Sequence, residues 1–203
     1  MWNSPSLRAV AAAAVLATAF AGLAPGSARA DRSRAGARVL LLPSGRLEGR
    51  YETPFGVITG ETDTAVAGGI GFFLDGALGR YATIGLAPQY LFNVKADGTG
   101  DSTEELDLMA RLTLWYPAAE RVALCAYLAP GYSVIFPDTD EGDAAKGFVF
   151  GFGAGAELDL SPRAFVSAEV GYQLGFQALT FLGEEVAYRT QYLHLAAGVG
   201  TRF

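Results

Sequence analysis

Apolar and polar residues alternate with a period of two over strand-length segments of this chain. In the clearest segment, residues 105–116, every even position is Leu, Ala or Tyr, whereas the odd positions include Glu105, Asp107 and Arg111. A helix would spread these apolar residues around its circumference, but a β-strand places them on one face. The same period recurs at residues 122–136, 147–158, 166–176 and 192–203. The pattern therefore predicts strands that each carry one apolar face.

Three further strands complete the predicted sheet. Apolar faces recur at residues 66–74 and 84–92, and a weaker first strand is expected at about residues 46–55. Short turns are expected at residues 75–79, 117–120 and 161–163, and longer loops at 56–64, 95–103, 137–146 and 179–186. Alternating short and long connections and an even strand number are typical of bacterial membrane barrels. The fold class predicted is all-β, an eight-stranded antiparallel up-and-down transmembrane β-barrel with both termini in the periplasm.

The apolar faces are expected to meet lipid rather than to fill the barrel. An eight-stranded barrel encloses only enough space for side chains, and the Phe, Leu, Tyr and Val residues of eight apolar faces would overfill it. The opposite faces are rich in glycine, which suits a narrow lumen. Aromatic residues near the expected strand ends, such as Tyr90, Phe148 and Phe176, fit the interfacial girdles of a membrane barrel. A soluble barrel with an apolar interior is the structural alternative that the volume argument disfavours.

The N-terminal residues have the features of a cleavable signal peptide. Arg8 precedes an apolar run at residues 9–23, and Ala28-Arg29-Ala30 supplies a small-residue cleavage site. The apolar run is shorter than the ~20 residues that a membrane-spanning helix needs. We therefore predict a signal peptide over residues 1–30, a periplasmic N-terminal arm over 31–45 and an outer-membrane β-barrel domain over 46–203.

Charge and cysteine content restrict the chemistry further. The formal net charge of −6 disfavours nucleic acid as a partner. Cys125 is the only cysteine, so an intramolecular disulfide is impossible. The acidic segment at residues 138–143 is too short for an EF-hand loop and lacks its closing glutamate. We therefore expect an acidic solvated loop, no metal site and no cofactor. Weak bridging of divalent ions to lipopolysaccharide by this loop is the alternative.

The polar strand faces direct charged residues of both signs toward the predicted lumen. The predicted lumen charge cluster comprises Arg46, Glu48, Arg50, Glu105, Asp107, Arg111, Arg121, Glu157, Glu169, His194 and Arg202. Buried charges must pair, or the loss of their hydration is not compensated. We therefore expect ion pairs that close the lumen. A narrow water-filled path lined by the same groups is the alternative.

The signal peptide, the eight alternating strands, the acidic loops and the terminal Phe203 resemble the small outer-membrane β-barrel family that includes OmpA-like transmembrane domains and OmpX-like proteins. The resemblance covers nearly all of residues 46–203. It implies residence in the bacterial outer membrane, contact with outer-membrane lipid and lipopolysaccharide, and recognition by the barrel-assembly machinery. The assembly signal that it implies consists of Leu193, Leu195, Val199 and Phe203.

The sequence offers no candidate for nucleophilic catalysis. Lipid A deacylases need a lipid-facing His with a Ser two residues further on, whereas Leu195 and Ala196 follow His194 here. We therefore expect a monomeric barrel without enzymatic activity, with a structural or surface-interaction role in the cell envelope. A small pore or transporter of small or hydrophobic molecules is the first alternative, and a lipid-modifying enzyme is the second.

Overall fold

One antiparallel sheet of ten strands forms the wall of a barrel in the computed structural model, which describes residues 33–53, 56–95, 102–137, 144–181 and 184–203. The strands are β1 (Arg34–Thr53), β2 (Gly56–Thr64), β3 (Ala67–Ala77), β4 (Ala82–Leu86), β5 (Gln89–Val94), β6 (Thr103–Pro117), β7 (Val122–Pro137), β8 (Ala145–Asp159), β9 (Ala164–Phe181) and β10 (Glu184–Arg202). From β6 to β10, each strand pairs with the next along the chain. The described residues contain no helix long and apolar enough to cross a membrane.

The ten strands occupy eight positions around the barrel. Strands β2 and β3 follow one another along β1, and β4 and β5 follow one another along β6. The break between β4 and β5 falls at Ala87-Pro88, where proline has no N–H to donate to a ladder. Strand β1 also pairs with β10, which closes the ring. The predicted all-β, eight-stranded antiparallel barrel is therefore confirmed.

The outer surface of the barrel is apolar and its interior is polar. Leu108, Phe148, Val170 and Leu195 face outward, with 57%, 49%, 48% and 42% of their surface exposed. The interior instead holds buried Arg, Asp, Glu, Gln and His side chains. This inverted distribution is the one expected for a barrel whose outer surface contacts lipid.

The first strand begins earlier than the sequence suggested. Residues 34–42 pair with β10 on one side and with β3 on the other, so the arm predicted over 31–45 is wrong from Arg34 onward. The reason is that Leu40 and Leu42 are buried inside the barrel while Leu41 between them faces outward. Leucine therefore occupies both faces, and the contrast that reveals a strand in the sequence is lost.

Two of the predicted loops are also wrong. Residues 56–64 form β2, and most of residues 179–186 belong to β9 and β10.

We call the end of the barrel that carries Arg34 and Phe203 the terminal end and the opposite end the far end. The terminal end has short turns at residues 78–81, 118–121 and 160–163, close to their predicted places. The predicted signal peptide at residues 1–30 lies outside the described residues.

Candidate functional site

Most of the predicted lumen residues lie together inside the barrel. They are Glu105, Asp107, Arg111, Glu157, Glu169, His194 and Arg202. Strands β6, β8, β9 and β10 supply them, each from the face opposite its apolar side chains. Arg121 is not among them, because it lies exposed in the turn before β7.

Arg46, Glu48 and Arg50 lie on the outer face, which corrects the prediction that they enter the lumen. Strand β1 carries one residue more than β10 between the Leu41–Leu195 pair and the Ser44–Leu193 pair. Such a β-bulge moves every following side chain to the opposite face. Leu47, opposite the buried Thr190, therefore faces the lumen, whereas its charged neighbours face outward.

The sequence reasoning missed several lumen residues. Arg34 and Arg38 are buried there, and so are Asp75, Gln89 and Gln173. The arginines were missed because the first strand was started at Arg46. A signal was present, since Arg34, Gly36 and Arg38 alternate with Ala35, Ala37 and Val39.

A terminal cluster of ion pairs lies nearest the terminal end. Glu157 forms one ion pair with Arg34 at 2.8 Å and another with Arg202. Arg202 also pairs with Asp159 at 2.7 Å. The Arg34 guanidinium carbon lies 4.0 Å from the centroid of the Trp115 ring. The indole N–H of Trp115 donates to Thr83 at 3.2 Å. Charges and aromatic rings therefore fill this level together.

A central cluster surrounds Glu169. One of its carboxylate oxygens pairs with Arg38 at 3.0 Å and the other with Arg111 at 2.8 Å. Arg111 also stacks over the Tyr127 ring, with its guanidinium carbon 4.1 Å from the centroid. The Tyr127 hydroxyl hydrogen-bonds the His194 Nε2 at 2.8 Å. Each charged group of this cluster therefore has a partner.

A far cluster of amides and carboxylates follows. The Gln89 amide donates to Asp107 at 2.9 Å and to Gln173 at 2.7 Å, and Gln173 donates to the same Asp107 oxygen at 2.9 Å. Ser133 donates to Glu105 at 2.8 Å, and Gln177 donates to Ser133 at 3.3 Å. Within the described chain, no cationic side chain forms an ion pair with Glu105 or Asp107.

These clusters connect opposite walls of the barrel. Gln89 and Gln173 come from β5 and β9, which stand four positions apart in the ring of eight. Glu169 of β9 reaches Arg111 of β6 across three positions. These contacts therefore lie across the lumen, and the interior of an eight-stranded barrel is only about wide enough for its own side chains.

The outer face of the barrel becomes more polar toward the far end. Between the Leu193–Ser44 pair and the far end, most outward residues of β10, β1 and β2 are polar, including Arg189, Arg46 and Glu61. Arg46 pairs with Glu61 at 2.9 Å, and Arg189 pairs with Glu48 at 3.5 Å. The Tyr172 hydroxyl donates to Gln191, whose amide donates to Glu48 at 3.0 Å. We call these outward polar residues the outer polar patch.

The last strand presents its predicted assembly residues to the outside. Leu193, Leu195, Val199 and Phe203 are all exposed on the outer surface. The Phe203 backbone N–H donates to the Ser33 carbonyl at 3.0 Å, beside the pairing of β10 with β1. Within the described residues, no group of three or more His, Cys, Asp or Glu side chains is arranged to hold a metal ion.

The chain is similar in fold to solved outer-membrane proteins. OprG from Pseudomonas aeruginosa is 12% identical, with a TM-score of 0.56, and the match covers 85% of this chain and 94% of OprG. Neisserial surface protein A is 13% identical, with a TM-score of 0.46 and coverage of 83% and 99%. Ail of Yersinia pestis is 12% identical, with a TM-score of 0.41 and coverage of 84% and 99%. At these identities the likeness to OprG supports the fold alone.

The sequence itself gives the family. A search of curated proteins found no match. The family model for the outer membrane protein beta-barrel domain, however, matches residues 9–203, which includes every strand of the barrel. The match agrees with the inverted distribution of apolar and charged residues. The chain therefore belongs to the outer membrane protein beta-barrel domain family, whose place is the bacterial outer membrane.

Proposed function

We propose that this protein is a closed, non-conducting outer-membrane barrel that contributes to the cell envelope through its outer surface and its far-end hairpins. The observation that carries the proposal is the hydrogen bond between Gln89 and Gln173, which joins opposite walls at 2.7 Å. Below it, the Arg38–Glu169–Arg111 ion pairs occupy the next level of the lumen. An ion would have to displace the side chains of both levels to cross the lumen.

We also propose an orientation with the terminal end in the periplasm. The short turns at the terminal end support this orientation, because membrane barrels have short periplasmic turns. The outer polar patch near the far end would then lie at the cell surface. Exposure of Leu193, Leu195, Val199 and Phe203 on the last strand supports recognition by the barrel-assembly machinery. The ring closed by β1 and β10 supports a monomer.

An enzymatic role is not part of the proposal. His194, the only histidine of the chain, hydrogen-bonds Tyr127 in the lumen rather than facing lipid. Cys125 is buried beside Trp115 and Ala123. Neither residue is placed to attack a lipid ester or amide on the outer surface.

The test is single-channel conductance of the folded protein in a planar lipid bilayer. We expect no reproducible current steps, because ions would have to displace the Gln89–Gln173 contact and the ion pairs of Glu169 to cross the lumen. The variant Glu169→Ala should open conductance, since it removes the carboxylate that holds Arg38 and Arg111 across the lumen. Arg163→Ala, in an exposed turn of the terminal end, is the control and should stay silent.

Current steps in the unmodified protein that change on substitution of Arg111 or Glu157 would contradict the closed lumen. They would favour the alternative, a small pore or transporter. Folding of every sample is verified by the difference in gel mobility between heated and unheated protein, so that silence reports a closed barrel and not an unfolded one.

A further inference from the structure

A groove of about 640 Å³ lies at the far end of the barrel, lined by residues of β1, β2, β8, β9 and β10. Its floor follows one row of paired residues with small side chains at the centre, because Ala178 of β9 pairs with Ala187 of β10. Lys146 continues this row on one side and Arg50 on the other. Two alanines between long cationic side chains leave a depression on the outward face of the sheet.

The neighbouring row toward the terminal end supplies the rest of the groove. It runs from Phe176 through Arg189 and Glu48 to Glu61, all on the outward face. Phe176 is half exposed and pairs with Phe148, which is exposed to the same extent. Exposed aromatic residues on a membrane barrel mark the boundary between acyl chains and head groups. The groove therefore begins where the apolar band ends.

The charges of the groove suit a phosphorylated ligand. Lys146, Arg50 and Arg189 bring three cationic groups around the alanine floor, against the two carboxylates of Glu48 and Glu61. Within the described part of the chain, Lys146 forms no ion pair. Glu48 pairs with Arg189 at 3.5 Å and also accepts from Gln191, which holds it at the edge of the groove.

We propose that this groove binds the phosphorylated saccharide head group of a lipid in the outer leaflet. The inference rests on the proposed orientation, which places the far end at the cell surface. Lys146, Arg50 and Arg189 contact the phosphate, because cationic side chains and phosphate oxygens form strong charge-assisted hydrogen bonds. Glu48 and Glu61 accept hydrogen bonds from sugar hydroxyls, and Phe176 contacts the start of the acyl chains.

A lipid explains the composition of the groove better than a soluble anion does. A free phosphate would need only the cations, whereas the groove combines cations and carboxylates with the exposed aromatic ring of Phe176. The volume of about 640 Å³ also falls within the range of sites for small organic ligands, ~300–1,000 Å³.

The test is native mass spectrometry of the folded protein in detergent micelles, titrated with lipid A that carries its phosphates. We expect one tightly retained lipid A molecule. The double variant Lys146→Ala/Arg189→Ala should weaken its binding by about tenfold or more, the effect of losing charge-assisted hydrogen bonds. Arg163→Ala removes an exposed cation at the terminal end and is the matched control, which should bind as the unmodified protein does.

Two further measurements identify what the groove recognises. Dephosphorylated lipid A should bind the unmodified protein as weakly as lipid A binds the double variant. Inorganic phosphate should not displace lipid A, and displacement would show a site for soluble anions instead. Equal binding by the double variant and the unmodified protein, or an equal loss in Arg163→Ala, would overturn the proposal.

A failure here is distinct from a failure of the proposed function. Conductance of the same preparation reports the lumen, and lipid retention reports the outer face. A silent barrel that retains no lipid A overturns the groove alone.

Discussion

The buried glutamates of the lumen differ in the number of ion pairs that they form. Glu169 neutralises two arginines, whereas Glu105 accepts a hydrogen bond from Ser133 without an ion pair to any described residue. Both are glutamates in the interior of the same barrel, so they allow a direct comparison. Breaking a buried ion pair leaves an uncompensated charge, whereas removing an unpaired buried charge removes a desolvation penalty.

Replacing Glu169 by glutamine should lower the free energy of unfolding by about 3–5 kcal/mol, because Arg38 and Arg111 lose their shared carboxylate. Glu105→Gln is the matched control. Its amide oxygen still accepts from Ser133, so the change should stay within about 1 kcal/mol or be a gain. Urea titration of the folded protein in micelles measures both values. Equal losses in the two variants would contradict the difference in pairing.

The space around Gly171 is too small for a further methyl group. A methyl group there would overlap the Tyr127 hydroxyl and the His194 ring, which hydrogen-bond each other beside it. We expect Gly171→Ala to cost about 1–3 kcal/mol of unfolding free energy in the same titration. The control is Gly151→Ala, whose added methyl group would lie 3.6 Å from its nearest neighbour. A comparable loss in that control would mean that strand glycines matter for the backbone and not for this contact.

At the level of the strands, the sequence predicted much of the barrel and the reasons for the errors are physical. Strands β6 to β10 were found because lipid on one side and charges on the other enforce alternation. The start of β1 was missed because Leu40 and Leu42 make its inner face as apolar as its outer face. The bulge before Ser44 then reversed the predicted faces of Arg46, Glu48 and Arg50.

The lumen contacts could be predicted only as a set of charged faces. Alternation shows that Glu169 and Arg111 point inward, but not that they meet across three barrel positions. That depends on the stagger of the strands, which sequence periodicity does not contain. The same reason hid the contact between Gln89 and Gln173, two uncharged residues on opposite walls.

The β-bulge before Ser44 determines which residues of β1 a reagent outside the barrel can reach. A cysteine in place of Arg46 should react rapidly with a membrane-impermeant maleimide on intact cells, because the register turns this residue outward near the far end, which our proposed orientation places at the cell surface. A cysteine in place of Leu47 should react slowly, since this residue faces the lumen opposite Thr190. The unmodified protein, whose Cys125 is buried, gives the background. Faster labelling at residue 47 than at residue 46 would show that the bulge is absent.

The molecule as a whole depends on the first and last strands meeting. Strand β10 pairs with β1 along nearly its whole length, from Arg202 opposite Arg34 to Val186 opposite Tyr51. Phe203 lies at the terminal end of this seam, and its side chain is exposed. Its side chain contributes little to burial, so its value would lie in recognition during assembly.

Replacing Phe203 by alanine should therefore reduce the fraction of assembled barrel in cells several-fold while leaving refolding of the purified protein in detergent unchanged. Phe72→Ala, another exposed aromatic residue on the outer surface, is the control and should assemble normally. Gel mobility of heated and unheated samples measures both fractions. Slower refolding of Phe203→Ala in detergent would place its role in folding rather than in recognition.

The position of Trp115 has a consequence for optical measurements. The chain contains two tryptophans, Trp2 and Trp115, so a chain that begins after residue 30 has Trp115 as its only indole fluorophore. The Arg34 guanidinium stacks on this ring at 4.0 Å, and it comes from the strand that closes the barrel. Emission from Trp115 should therefore change when β1 docks. The protein carries a built-in spectroscopic reporter of ring closure, readable in real time without any label.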